Sequence, residues 1–481
     1  MSEQTASFKP TLGLLDSTMI VAGSMIGSGI FIVSADITRN VGSAGWLIAV
    51  WVITGLMTLM AALSYGELSA MFPKAGGQYV YLKEAFNPLA GFLYGWSFFT
   101  VIQTATIAAV GVAFSKFAAY IFPAVSEKNI LLDLGFIQIS AAQVVAILLI
   151  ALLTYINSKG IKNGTIIQTV FTSTKILALF GLIVFGFLMA KHSFWDENWQ
   201  TGLTAMQDLG AKDANNLLQP TAWKPVSGYI LVGAIAAAMV GSIFSSDAWN
   251  NVTFIAGEVK NPQRNIGLAL FLGTLIVTVI YVAANFMYLN VLPLNEIAFG
   301  DRANDRIAVV ASTQIFGSSG TVVIAILIMI STFGCNNGLI LAGARVYNAM
   351  AIDKLFFKRA AVLNKYAVPE YALWAQFVMA SILCLSGKYG DLLDMIAFVV
   401  VLFYAITIIG IFKLRKTRPD AVRPYKAFAY PVMPALYIVL ALVFCVFLII
   451  FKPVYAGIGL GIVLLGIPVY YLSIGRQKKN S

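Results

Sequence analysis

The chain has 481 residues, of which 59% are hydrophobic and 11% charged, with a mean hydropathy of +0.84. A soluble domain carries about a quarter charged residues, so a water-soluble globular fold is excluded. The net charge of +11 gathers on alternate loops, which reads as the bias of a membrane protein towards a basic cytoplasmic face and not as a nucleic-acid surface.

Residues 1–11 are polar and carry no small-residue cleavage site after the first apolar run, so they read as a cytoplasmic tail. Twelve apolar segments follow, at about 12–37, 43–71, 84–120, 138–157, 164–190, 227–256, 266–292, 319–350, 370–387, 391–413, 428–451 and 455–474. Most reach the roughly 20 residues that span a bilayer as helix, and none shows the ten-residue alternation of a membrane β-barrel. Basic residues concentrate on one set of connections, among them Lys159, Lys162, Lys260, Arg264, Lys354, Lys358, Arg415 and Arg423. The opposite set is more acidic, which predicts both termini in the cytoplasm.

The first segment contains Gly23-Ser24-Met25-Ile26-Gly27-Ser28-Gly29. Glycine costs a helix about 1 kcal/mol relative to alanine and serine somewhat less, so the helix is expected to break here. In hydrocarbon an unpaired peptide group costs several kcal/mol, so such a break is stable only where it is buried or lines a polar cavity. Freed amides suit a carboxylate and freed carbonyls an ammonium, which points to a small zwitterion held by Met25, Ile26, Gly27, Ser28 and Gly29. Close helix packing through Gly23 and Gly27 is the competing reading.

In the fifth segment Lys175 stands about eleven residues from the start, where a charge costs at least about 2.5–3.5 kcal/mol and demands a partner. The carbonyls released by the first break, with Ser331, Asn336 and Asn337 of the eighth segment, are the expected partners. The connection 191–226 is the longest and contains Trp195, Trp199, Trp223 and the lone histidine, His192. The sixth segment breaks again at Gly241-Ser242-Ile243-Phe244-Ser245-Ser246-Asp247. Broken helices five segments apart are the pattern expected of two five-helix repeats with a midplane site. Asp247 is either a pocket charge or the N-cap of the second half-helix. Glu258 is expected to pair with a basic residue as an inner latch, and Glu67 likewise with a basic partner. Cys335, Cys384 and Cys445 all fall in apolar segments, so no disulfide framework is implied. No HExxH, GxSxG or GxxxxGK[ST] pattern occurs, which argues against an enzyme and calls for no metal or cofactor.

Four stretches in order, SMIGSGIF, SYGELSAMFPKAGGQYVYLKEAF, FTSTKILAL and SSDAWNNVTFIAGEVKNPQRNI, resemble the amino acid–polyamine–organocation superfamily, and within it bacterial members of the L-type amino acid transporter family. The resemblance implies an all-α polytopic fold of twelve membrane helices. A first five-helix repeat would occupy 12–190 and an inverted second repeat 227–413, joined by the extracytoplasmic loop 191–226, with two peripheral helices and a tail in 414–481. It implies alternating access, with the substrate carboxylate near Ser28 and Gly29 and the ammonium near Met25, Phe244 and Asp247. Phe244 would close over the substrate, and Lys175 would stand in for a sodium ion. Animal relatives use a cysteine after the third segment to link a glycoprotein subunit. Residues 121–137 contain none, so no disulfide-linked subunit is expected.

The resulting expectation is a sodium-independent exchanger of small or medium neutral L-amino acids in a bacterial inner membrane. Ser245 and Ser246 leave room for modest side chains, whereas Asp247 leaves cationic substrates open. Proton symport on the same fold is the main alternative.

Overall fold

A computed structural model describes residues 8, 10–133, 138–214, 217–300, 306–386 and 389–479; most of the tail 1–11 lies outside them. The architecture is helical. In chain order the elements are α1 (Leu14–Met25), α2 (Ser34–Val41), α3 (Ala44–Met71), α4 (Gln78–Ala85), α5 (Pro88–Ser97), α6 (Gln103–Ala118), α7 (Ala141–Ser158), α8 (Ile161–Met189) and α9 (Trp195–Trp199). Then come α10 (Gly228–Ser245), α11 (Asn251–Phe254), α12 (Pro262–Val291), α13 (Leu294–Phe299), α14 (Ile307–Phe316), α15 (Ser318–Ile352), α16 (Glu370–Ser386), α17 (Tyr389–Thr417), α18 (Val432–Phe451) and α19 (Pro453–Lys479). Ten helices among the described residues are long and apolar enough to cross a membrane.

Two of the expected segments are missing from that set for physical reasons. The first is split into α1 and α2, each too short to span alone, and α16 has only 17 residues. The third expected segment is one continuous path, α5 running through a wide turn at Phe98–Ile102 into α6.

The broken first segment lies in the centre of the bundle. Helix α1 packs against α8, α12 and α15, while α2 packs against α10. Residues Val21–Ile30 are buried throughout. The connection 191–226 is folded: Met206–Gln207 pair with Lys224–Pro225, and Ala211–Lys212 with Leu218–Gln219. It seats on the end of α2, where Gly42 is left-handed at φ +46 and a side chain would strike the Met206 carbonyl and the Trp223 ring. The Asp208 amide donates to the Arg39 carbonyl at 2.9 Å, and Arg39 donates to the Ala298 carbonyl at 2.8 Å.

Candidate functional site

Helix α1 ends where its sequence stops favouring helix. The Ile26 amide still donates to the Ala22 carbonyl at 3.0 Å, but Ile26 itself is extended at φ −74, ψ 91. A helix end leaves its last carbonyls without intrahelical donors, and here side chains from other helices take up every one from Gly23 to Gly27. Lys175 Nζ donates to the Gly23 carbonyl and, at 2.7 Å, to that of Ile26. Cys335 Sγ reaches the Ser24 carbonyl at 3.0 Å. The Tyr281 hydroxyl lies 3.0 Å from the Met25 carbonyl, and Ser331 Oγ lies 3.2 Å from the carbonyls of Ile26 and Gly27.

The amides tell a different story. Among the described residues, no protein group accepts from the amides of Gly27 and Gly29. They form a buried pair of donors, the arrangement that suits an anionic group.

The second break falls later than the sequence suggests: Gly241–Ser245 stay wound as the last turns of α10, because one glycine among apolar neighbours does not stop the helix, and the break runs from Ser246 to Asn250, with Ala248 held at φ +62, a strained conformation for a residue with a side chain. The two breaks touch. A side chain at Gly29 would collide with Ser245, and the Tyr281 hydroxyl sits 3.0 Å from the Ser245 carbonyl as well as from that of Met25. Phe244 is 7% exposed, at the last turn of α10 beside Ser245 and Ser246.

Asp247 is buried, and its carboxylate accepts from the Tyr404 hydroxyl of α17 at 2.5 Å. It does not cap the second half-helix: Asn250 occupies the N-cap of α11, with no side-chain cap bond. Small cavities flank the Asp247–Tyr404 pair. One, of about 10 Å³, is bordered by Gln78, Gln103 and Asn251, and the other, of about 20 Å³, by Thr54, Ile243 and Trp249. Each holds about one water.

Glu258 ties three segments together. Its carboxylate pairs with Arg345 at 2.9 Å, with side chains 3% and 1% exposed. Its carbonyl accepts from the amides of Thr11 and Leu12 at 2.9 and 3.0 Å, and the Lys260 amide returns to the Leu12 carbonyl at 2.8 Å. Glu67 binds Arg415 at 2.6 Å and Arg423 at 3.3 Å. Helix α2 packs tightly against α10, where a side chain at Gly241 would meet Val33.

The expected partners of Lys175 are present only in part. Asn336 donates to the Ile107 carbonyl instead, and Asn337 joins Asn157 and Gln168. Tyr281, Cys335 and Tyr404 were not foreseen. Their helices do carry a signal: Tyr281, Asn285 and Tyr288 of α12 lie at i, i+4 and i+7, one helical face. That face meets the first segment, with Asn285 accepting from Ser34 at 2.7 Å and Tyr288 donating to the Ile30 carbonyl at 3.2 Å.

Two touching helix breaks buried at the centre of a many-helix membrane bundle fit a membrane carrier. The comparisons agree. The amino acid permease family model matches residues 12–472, and the chain belongs to that family. It is 30% identical over the full length of both chains to the serine/threonine exchanger SteT of Bacillus subtilis (strain 168). It is 30% identical to the large neutral amino acids transporter small subunit 2 of Mus musculus, over 98% of this chain and 82% of the relative. It is also 28% identical to the Asc-type amino acid transporter 1 of Mus musculus, over 99% of this chain and 84% of the relative. The protein is a multi-pass membrane permease for amino acids, not an enzyme.

Proposed function

We propose that the chain is a sodium-independent exchanger of small or medium neutral L-amino acids that works by alternating access. The observation that carries this reading is the unpaired amide pair of Gly27 and Gly29, buried beside the second break. With Ser28 they would hold the substrate carboxylate. The ammonium would meet the carbonyls of Met25 and Phe244 and the Asp247 region, and Ile26, Ser245 and Ser246 would shape the rest of the pocket.

Sodium independence is supported by Lys175. Its ammonium already neutralises the carbonyls that a bound cation would otherwise coordinate. Neutral selectivity is supported by Tyr404, whose hydroxyl engages the Asp247 carboxylate in the second break. Exchange is supported by the similarity to the serine/threonine exchanger of Bacillus subtilis.

The reading includes twelve spans, counting the broken first segment and α16. It includes a five-plus-five inverted repeat over 12–190 and 227–413, with 414–481 peripheral. Matching breaks in the first and sixth segments support the repeat. Loop charge supports an inner-membrane orientation with both termini in the cytoplasm, which makes Glu258–Arg345 the inner latch and Phe244 the outer gate. The buried state of Cys335, Cys384 and Cys445 supports operation without a disulfide-linked subunit.

The test is uptake of labelled serine into proteoliposomes. Vesicles preloaded with unlabelled serine should accumulate label equally in sodium and choline, and empty vesicles should not. Label driven into empty vesicles by an imposed pH gradient would replace exchange with proton symport.

A further inference from the structure

A large groove lies away from the substrate site. It has a volume of about 780 Å³ and is bounded by α3, the first turns of α12 and the segment 424–428. Leu63, Leu268, Phe271 and Phe428 supply its apolar walls, and Arg264 and Tyr425 its polar end. Helices α3 and α12 are both membrane-crossing by length and composition, and Leu268 and Phe428 are exposed. An apolar space of this size facing hydrocarbon does not stay wet, and acyl chains are the molecules available to fill it.

The polar end specifies the headgroup. Among the described residues, neither Arg264 nor the neighbouring Lys426 has a carboxylate within ion-pair distance. Arg415 and Arg423 are instead drawn inward by Glu67. The groove wall is also built in advance. Glu67 is 1% exposed and accepts the Ala427 amide at 2.7 Å, while the Tyr425 ring lies over Gly66 so closely that a side chain there would strike it. A fixed apolar slot ending in an unpaired cation at a membrane boundary matches one ligand chemistry, two acyl chains carrying a phosphate.

We propose that this groove is a binding site for an anionic phospholipid, with the acyl chains along Leu63, Leu268 and Phe271 and the phosphate on Arg264, the exposed Lys426 of the adjoining segment adding positive charge. The proposal rests on the cytoplasmic placement of this face given above. It has a consequence for transport, because α12 starts at Pro262, just after the Lys260 amide that ties down Leu12. A lipid anchored to Arg264 steadies the same helix start that closes the inner end.

Native mass spectrometry of the full-length protein, in detergent supplemented with equal phosphatidylglycerol and phosphatidylcholine, tests the site without relying on transport. Wild type should retain phosphatidylglycerol in preference to phosphatidylcholine. Arg264→Glu should cut that retention at least about fivefold, Arg264→Lys should keep it, and Leu268→Trp, which narrows the slot, should lower it with the charge unchanged. Equal retention of both lipids by wild type, unchanged retention by Arg264→Glu, or a protein dimer in place of bound lipid would each overturn the proposal. None of these outcomes bears on whether the chain exchanges amino acids, which the vesicle assay decides separately.

Discussion

Replacing Lys175 by methionine removes the donor while keeping an unbranched chain of similar size. The Gly23 carbonyl then loses the side chain that satisfies it, and a buried acceptor left unpaired costs about 1–3 kcal/mol. The Ile26 carbonyl loses its 2.7 Å contact with the ammonium but keeps Ser331 Oγ at 3.2 Å, so its cost lies at the low end. Against this stands the gain from no longer holding a charge in a dry site, since Lys175 is 1% exposed. The net effect is about 1–3 kcal/mol, borne by the break itself and small enough to leave the bundle folded. If the break geometry is what the rate-limiting step requires, exchange slows by about 5- to 150-fold. Counterflow of labelled serine in proteoliposomes measures the rate, and thermal unfolding in detergent checks the fold. A Lys175→Met protein that melts normally and exchanges at the wild-type rate would refute the assignment. So would sodium-dependent exchange by the wild type.

Four further outcomes follow from the geometry. Gly29→Ala places a methyl group against Ser245, an overpacking that costs about 1–3 kcal/mol; exchange should be lost, and Ser245→Gly in the same chain should restore part of it, whereas no recovery would mean that the breaks do not need to touch. Glu258→Gln leaves Arg345 charged and buried without its partner, a loss of about 3–5 kcal/mol. In a cysteine-free background, Leu12→Cys should then react faster with a polar thiol reagent, and an unchanged labelling rate would remove Glu258 from the closure. Tyr404→Phe frees the Asp247 carboxylate, so arginine should begin to compete with serine for uptake, and continued indifference to arginine would show that the Tyr404 hydroxyl does not set charge selectivity.

The last outcome concerns Asp208 in the loop 191–226. Burial pushes its pKa up, but the Thr221 hydroxyl, the amides of Gly210 and Thr221 and the charge of Lys224 outweigh it and hold the carboxyl below the usual carboxylate range. A depressed carboxylate stabilises the folded loop above its unfolded pKa of about 3.9 and loses that contribution as pH falls through the folded value. Resistance of the loop to proteolysis should therefore be flat from neutral pH down to about 5 and fall only below about 4. Asp208→Ala should show the loosened pattern already at neutral pH; a loop equally resistant in that variant would mean that Thr221 and Gly210 do not anchor it through Asp208.

The amino-acid sequence by itself determined the class of molecule and the places where helix fails. Low charge and long apolar runs exclude every water-soluble fold, and the cost of Gly23, Gly27 and Gly29 to a helix is local, so the first break is visible without any partner. The buried lysine was visible too, because a charge in hydrocarbon must be answered. What answers it was not. Gly23 and Lys175, Met25 and Tyr281, Ser24 and Cys335, and Asp247 and Tyr404 are separated by 150 residues or more along the chain, and many polar side chains in the apolar segments could have served. Asp247 shows the limit most clearly. Its residue type favours a helix cap, but the packing of α17 offers it a hydroxyl and leaves the cap to Asn250. Local propensity decides where peptide groups are released; only the packed bundle decides which of them are satisfied by other parts of the protein and which, like the Gly27 and Gly29 amides, are not.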